Sequence, residues 1–116
     1  MLDSQRTQQF MEKLLETIVN TNSPVVLVDI TGVPTVDTQT AQHLVDTVSA
    51  AQLLGTRVIL TGLSPAIVQT LVHLGINLSE IETQASLSAG LSLALKWLGY
   101  RVIRETESGK EMSTHG

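Results

Sequence analysis

Three aspartates and a scatter of threonines are the residues of this chain with the widest chemical reach. Asp29 sits near the end of an apolar run, Pro24-Val25-Val26-Leu27-Val28-Asp29-Ile30. The carboxyl end of a strand is where open α/β sheets place their functional groups. Together with Asp37 and Asp46 it invites an acid/base or magnesium reading, or that of a phosphoacceptor aspartate. Such a site needs further acidic residues at strand ends, and none precedes the helix at Thr7; a paired lysine after a later strand is also missing. The simpler reading makes Asp29 an acceptor for backbone N–H groups of the loop that follows it. Asp37-Thr38 lies where the chain leaves that loop for a helix. There, unsatisfied N–H groups and the positive end of the helix dipole favour a capping side chain and tolerate a phosphate on the hydroxyl. Both readings stay open at Thr38.

Other chemistries find little support. No G-x-G-x-x-G and no G-x-x-x-x-G-K-[ST] occurs, so the common phosphate-cradling loops are missing. His43, His73 and His115 are far apart and share no metal-ligand spacing. A histidine in the last turn of a helix, as at His73, is accounted for by the helix dipole. The chain has no cysteine, which removes disulfide frameworks and thiolate metal sites. Neither a metal nor a cofactor is expected. A net charge of −4, with 7 basic residues dispersed among 116, gives no clustered basic face for nucleic acid. No apolar run reaches membrane-spanning length, and Met1-Leu2-Asp3-Ser4 does not start a signal sequence, so a soluble, cytoplasmic chain without membrane partners is expected.

The elements that must position these residues follow from periodicity. Hydrophobic residues make up 42% of the chain but aromatics only 3%, so the core has to be built from Val, Leu, Ile and Ala. Over residues 7–19, Met11, Leu14, Leu15 and Ile18 share one helical stripe. The apolar run from Pro24 to Ile30 reads as a strand covered on both faces. A second helix follows the loop, with Ala41, Leu44, Val45, Val48 and Ala51 inward and Gly55 at its end. Arg57–Leu60 is the next strand, and Ser64-Pro65 opens a helix that runs to about Leu74. Ile81–Thr83 is a short third strand, and Ser86 caps a last helix that presents Leu87, Leu91, Leu95 and Leu98. The tail from Glu105 is polar and reads as disordered. Strand–helix alternation with short connections predicts an α/β fold with a mostly parallel sheet.

The run Asp29-Ile30-Thr31-Gly32-Val33-Pro34-Thr35-Val36-Asp37-Thr38 resembles the signature of STAS domains, and in this form that of stressosome co-antagonist scaffolds. Leu63-Ser64-Pro65-Ala66-Ile67-Val68-Gln69-Thr70-Leu71-Val72-His73-Leu74-Gly75-Ile76 is similar to a later helix of the same subgroup. The likeness spans about Leu2 to Leu98 and implies a STAS-like domain over residues 1–99, with 100–116 as a C-terminal extension. Family members begin with two further strands before the segment matching Leu2–Thr7, so the chain resembles a domain incomplete at its N-terminus, with an open sheet edge.

By that resemblance the chain is a non-enzymatic protein-interaction module of a stress-signalling scaffold. Its implied partners are an antagonist STAS protein and a switch serine/threonine kinase, within a homo- or hetero-oligomer. The resemblance implies Thr38 as phosphosite, supported by Asp29, Thr31, Gly32 and Asp37, with Thr70 as a second; Thr31, Thr35 and Thr40 read as loop and cap residues. A helical threonine such as Thr70 can equally bond back to a preceding carbonyl. The alternative is an anti-anti-sigma-type or nucleotide-binding STAS domain that uses the Asp29–Gly32 loop.

Overall fold

The apolar stripe of the first helix and the β-branched run after it define the two elements that open the fold. The computed structural model describes residues 4–100 and 103. The elements are α1 (Ser4–Thr21), β1 (Val25–Asp29), α2 (Thr38–Leu53), β2 (Arg57–Thr61), α3 (Pro65–His73), β3 (Glu82–Gln84) and α4 (Leu87–Trp97), with one 3-10 turn at Leu78–Glu80. The turn from α1 into β1 passes through Asn22 at φ +53°, a left-handed conformation that asparagine tolerates.

The strands form one parallel sheet in the order β1-β2-β3. Val25 pairs with Arg57 and Asp29 with Thr61, while Ile59 to Thr61 pair with Glu82 to Gln84. Side chains alternate between the two faces, and the helices divide accordingly. Val28, Val58 and Leu60 join a core built with Met11 and Ile18 of α1, Ala41, Leu44, Val48 and Ala51 of α2, and Ile67 and Leu71 of α3. Leu27, Ile59 and Thr61 face α4 at Gly90. The Arg57 guanidinium stacks over the Trp97 ring, 3.5 Å from its centroid, and ties the end of α4 to the start of β2.

The α/β class and the parallel sheet agree with the sequence reading, and three details differ from it. β1 is an edge strand among the described residues, so Val25, Val26 and Leu27 are only half-buried although helices lie on both sheet faces. In α4 the inward positions are Gly90 and Ala94; Leu87, Leu91 and Leu98 are exposed. The close approach to the sheet selects the smallest residues of that helix and turns the leucine stripe outward. Thr7, Thr40 and Thr47 are buried beside the expected aliphatic positions of α1 and α2. The tail from Glu105 and His115 lie outside the described residues. Among the described residues no helix is long and apolar enough to cross a membrane.

Gly90 sets the distance between α4 and the sheet, since a Cβ there would overlap the Thr61 methyl and come within 2.8 Å of Leu27 Cδ1. Gly90→Ala should therefore destabilise the chain by about 1–3 kcal/mol through overpacking, despite alanine's better helix propensity. Urea unfolding of the two forms checks this, and a gain in stability would contradict the close-packing account.

Candidate functional site

The carboxyl end of β1 delivers Asp29 into a polar cluster that joins two strands and a loop. Its Oδ1 accepts a hydrogen bond from the Thr31 hydroxyl at 2.7 Å and another from the Thr61 hydroxyl at 2.7 Å. Thr61 ends β2 and is fully buried. The hydroxyl of Thr31 and then that of Thr61 hold Asp29 below its ordinary pKa; desolvation opposes them, and the Thr31 N–H adds the smallest lowering effect. The sequence reading gave this role to loop N–H groups; two hydroxyls perform most of it, and one of them crosses from the neighbouring strand. Gly62, at φ +76°, makes the arrangement sterically feasible, because a Cβ there would lie 2.7 Å from the Thr31 nitrogen.

From this anchor the loop is pinned twice more before α2 begins. Val33 N–H closes a turn on the Ile30 carbonyl at 3.1 Å. The Ser64 hydroxyl donates to the Pro34 carbonyl at 2.8 Å while accepting from Ile67 N–H at 3.2 Å. One side chain thus caps α3 and holds the loop. Val36 is buried, which draws the chain onto the core just before the helix. Asp37 then caps α2 in extended geometry, accepting from Thr40 N–H at 2.7 Å. That N–H is the main cause of a lowered Asp37 pKa, with the nearby Thr40 hydroxyl and the charge of His43 acting the same way and desolvation opposing. The Thr40 hydroxyl contributes through proximity without reaching hydrogen-bond geometry.

Thr38 is the first residue of α2 and is exposed. Thr70 is half-buried on α3, and its hydroxyl donates to the Ala66 carbonyl at 3.0 Å, the back-bond foreseen for it. Thr38 and Thr70 nevertheless line one shallow depression between the start of α2 and α3, together with Gln69 and His73. His73 Nδ1 lies 2.8 Å from the Gln69 carbonyl. The fold thus brings to one patch two threonines that are 32 positions apart. The three aspartates do not converge. Asp29 and Asp37 serve separate ends of the loop, and Asp46 accepts from Gln42 Nε2 at 2.9 Å along its own helix. Among the described residues no group of three or more His, Cys, Asp or Glu side chains could hold a metal. Sequence reasoning missed Thr61 and Gly62, and the signal available was their place where an apolar strand ends.

A model of the STAS domain matches residues 1–89. The chain is 41% identical over 102 residues to the RsbT co-antagonist protein RsbRA of Bacillus subtilis (strain 168), covering 88% of this chain and 37% of that protein. It thus spans little more than a third of the length of this curated relative. Among solved structures, a variant of RsbS from Moorella thermoacetica superposes with a TM-score of 0.69 at 33% identity, over 75% of this chain and 74% of that one. A chain from the molecular architecture of the stressosome, a signal integration and transduction hub, superposes with a TM-score of 0.65 at 33% identity, over 73% of this chain and 74% of its own length.

The lowered pKa values at Asp29 and Asp37 fix the sign of an acid response. Both groups lie below 3.8 when folded, so they stabilise the fold fully above that value, and the contribution is lost as pH falls through the folded pKa. The urea midpoint should hold steady near neutrality and drop below pH about 4. Asp29→Asn should lower the midpoint at pH 7 and make the acid drop shallower. An unchanged midpoint at pH 7 would mean that the Thr31 and Thr61 hydroxyls gain nothing from the charge.

Proposed function

The chain belongs to the STAS domain family, and on that premise we propose that it is a non-enzymatic interaction module of a stressosome-type scaffold, switched by phosphorylation of Thr38. The observation that carries this reading is the start of α2. The Asp37 cap fixes where the helix begins, and the loop behind it is held by Asp29, Gly62 and Ser64. The exposed Thr38 hydroxyl is thereby presented on a rigid element, in the first turn where backbone N–H groups and the helix dipole favour a phosphate. A phosphate adds about −1.5 to −2 charges and three acceptor oxygens beside the Asp37 carboxylate. That change can release one partner and recruit another with little movement of the backbone.

Thr38 is substrate in this scheme, and the catalytic groups belong to a serine/threonine kinase of the switch type. An antagonist STAS protein is the partner in assembly, and the cytoplasm is the compartment. The co-antagonist and stressosome relatives support these assignments. Thr70 is the second acceptor on the same patch. Its hydroxyl must leave the Ala66 carbonyl before it can be modified, so Thr38 is the faster site. The Asp29 carboxylate is engaged by two hydroxyls, which favours a structural role for the loop over nucleotide binding.

Incubation of the chain with an antagonist STAS protein and its switch kinase, followed by phosphopeptide mapping, should place most label on Thr38. Thr38→Ala should lose that label, and Thr70→Ala should keep it. Asp37→Asn should be modified nearly as well as the parent, because asparagine caps almost as effectively, whereas Asp37→Ala should be slower. Equal incorporation in Thr38→Ala and the parent would end the assignment.

A further inference from the structure

A phosphate on Thr38 would meet an uneven field. Asp37 stands directly before it as a carboxylate and already takes the Thr40 N–H, one of the donors of the first turn. Compensating charge can come from across the depression that Thr38 shares with α3, a space of about 600 Å³ with room for a phosphate. Its lining is Thr38, Ala66, Gln69, Thr70, His73 and Leu74, and His73 is the titratable group among them. The ring of His73 is already oriented. A carbonyl oxygen only accepts, so the 2.8 Å contact with Gln69 puts the hydrogen on Nδ1 and leaves Nε2 as the free nitrogen. Among the described residues no group bonds to that nitrogen. His73 also stands in the last turn of α3, where the helix dipole favours a cation. The other histidine near this helix start, His43, acts on Asp37 and lines a different groove, with Glu12 of α1 and Asp46 of its own helix.

We propose that His73 is the phosphate receptor of this patch: its Nε2 takes up a proton and donates to a phosphate on Thr38, latching the start of α2 to the end of α3. This rests on the reading of Thr38 as the modified residue and adds the group that holds the modification. The proton comes from solvent, and no covalent bond changes. The phosphate favours the charged ring and the charged ring favours the dianionic phosphate, so each stabilises the other's ionised form. Lysine and arginine are absent from the lining, which leaves the imidazolium as its charge-assisted donor. The modified patch is therefore a closed one. The phosphate presents its outer oxygens, and the imidazole is no longer available to a partner.

Phosphothreonine installed at position 38 during synthesis of the full chain tests this without any kinase, with the phosphorus resonance followed against pH. The second ionisation of the phosphate should come about half a pH unit lower in the parent than in His73→Gln, the scale of one exposed ion pair. His73→Lys, which restores a cation, should recover most of that shift, and His43→Gln should titrate like the parent. At about pH 6.5 the Nε2 nitrogen resonance of His73 should move toward the imidazolium position when the phosphate is present. The inference is overturned if the phosphorus titrates alike in the parent and His73→Gln, or if the shift disappears with His43→Gln instead. Kinase mapping without label on Thr38 counts against the modification itself, whereas a silent His73 counts against the receptor alone.

Discussion

The Asp29 carboxylate joins the end of β1 to the end of β2 and to the loop beyond, and the presented surface depends on that junction. One oxygen receives two hydroxyls, from Thr61 on the neighbouring strand and Thr31 on the loop. The carboxylate is exposed and the Thr61 hydroxyl is buried, so the bond satisfies a group that would otherwise be stranded at the end of the sheet. Glycine at position 62 lets the backbone of Thr31 approach closely enough for this arrangement. From there the loop is held in turn by the Ser64 hydroxyl on Pro34 and by burial of Val36. The helix start at Asp37 is thus the last member of a chain of constraints that begins one strand away.

This arrangement gives a carboxylate at a strand end a structural task. A catalytic or metal-binding aspartate needs free lone pairs directed at a substrate, together with other charged groups converging on the same point. Here the aspartates are distributed, each holding a different piece of backbone or helix surface. At Asp29 and Asp37 the charge strengthens the hydrogen bonds they accept, and those bonds in turn lower the pKa of each carboxylate. The resulting surface is rigid at Thr38. In the proposed switch, a helix start held in this way would present the phosphate at a fixed place.

The two sheet faces and the sheet edge divide the remaining tasks. One face carries the aliphatic core with α1, α2 and α3, and the other is closed by α4 through the near contact at Gly90. The edge beside β1 is the place where apolar surface and backbone polar groups remain together. The Thr38 and Thr70 patch lies at the start of α2 and along α3.

Much of this was legible in the order of the residues. The run from Val25 to Val28 is short, apolar and β-branched, and so reads as a strand; Asp37, Ser64 and Ser86 are caps whose effect is local to the first turn of each helix. Backbone hydrogen bonding and periodicity act over a few residues, which is why those elements, their order and the exposed Thr38 follow from sequence. The bond from Thr61 to Asp29 spans 32 positions, the bond from Ser64 to Pro34 spans 30, and the shared patch of Thr38 and Thr70 depends on how α2 and α3 pack. The outward turn of the leucines on α4 likewise follows from how near that helix comes to the sheet, which the periodic pattern of the helix does not encode. Such contacts are set by the meeting of distant surfaces, where shape and burial outweigh local preference, and only the tertiary structure decided them.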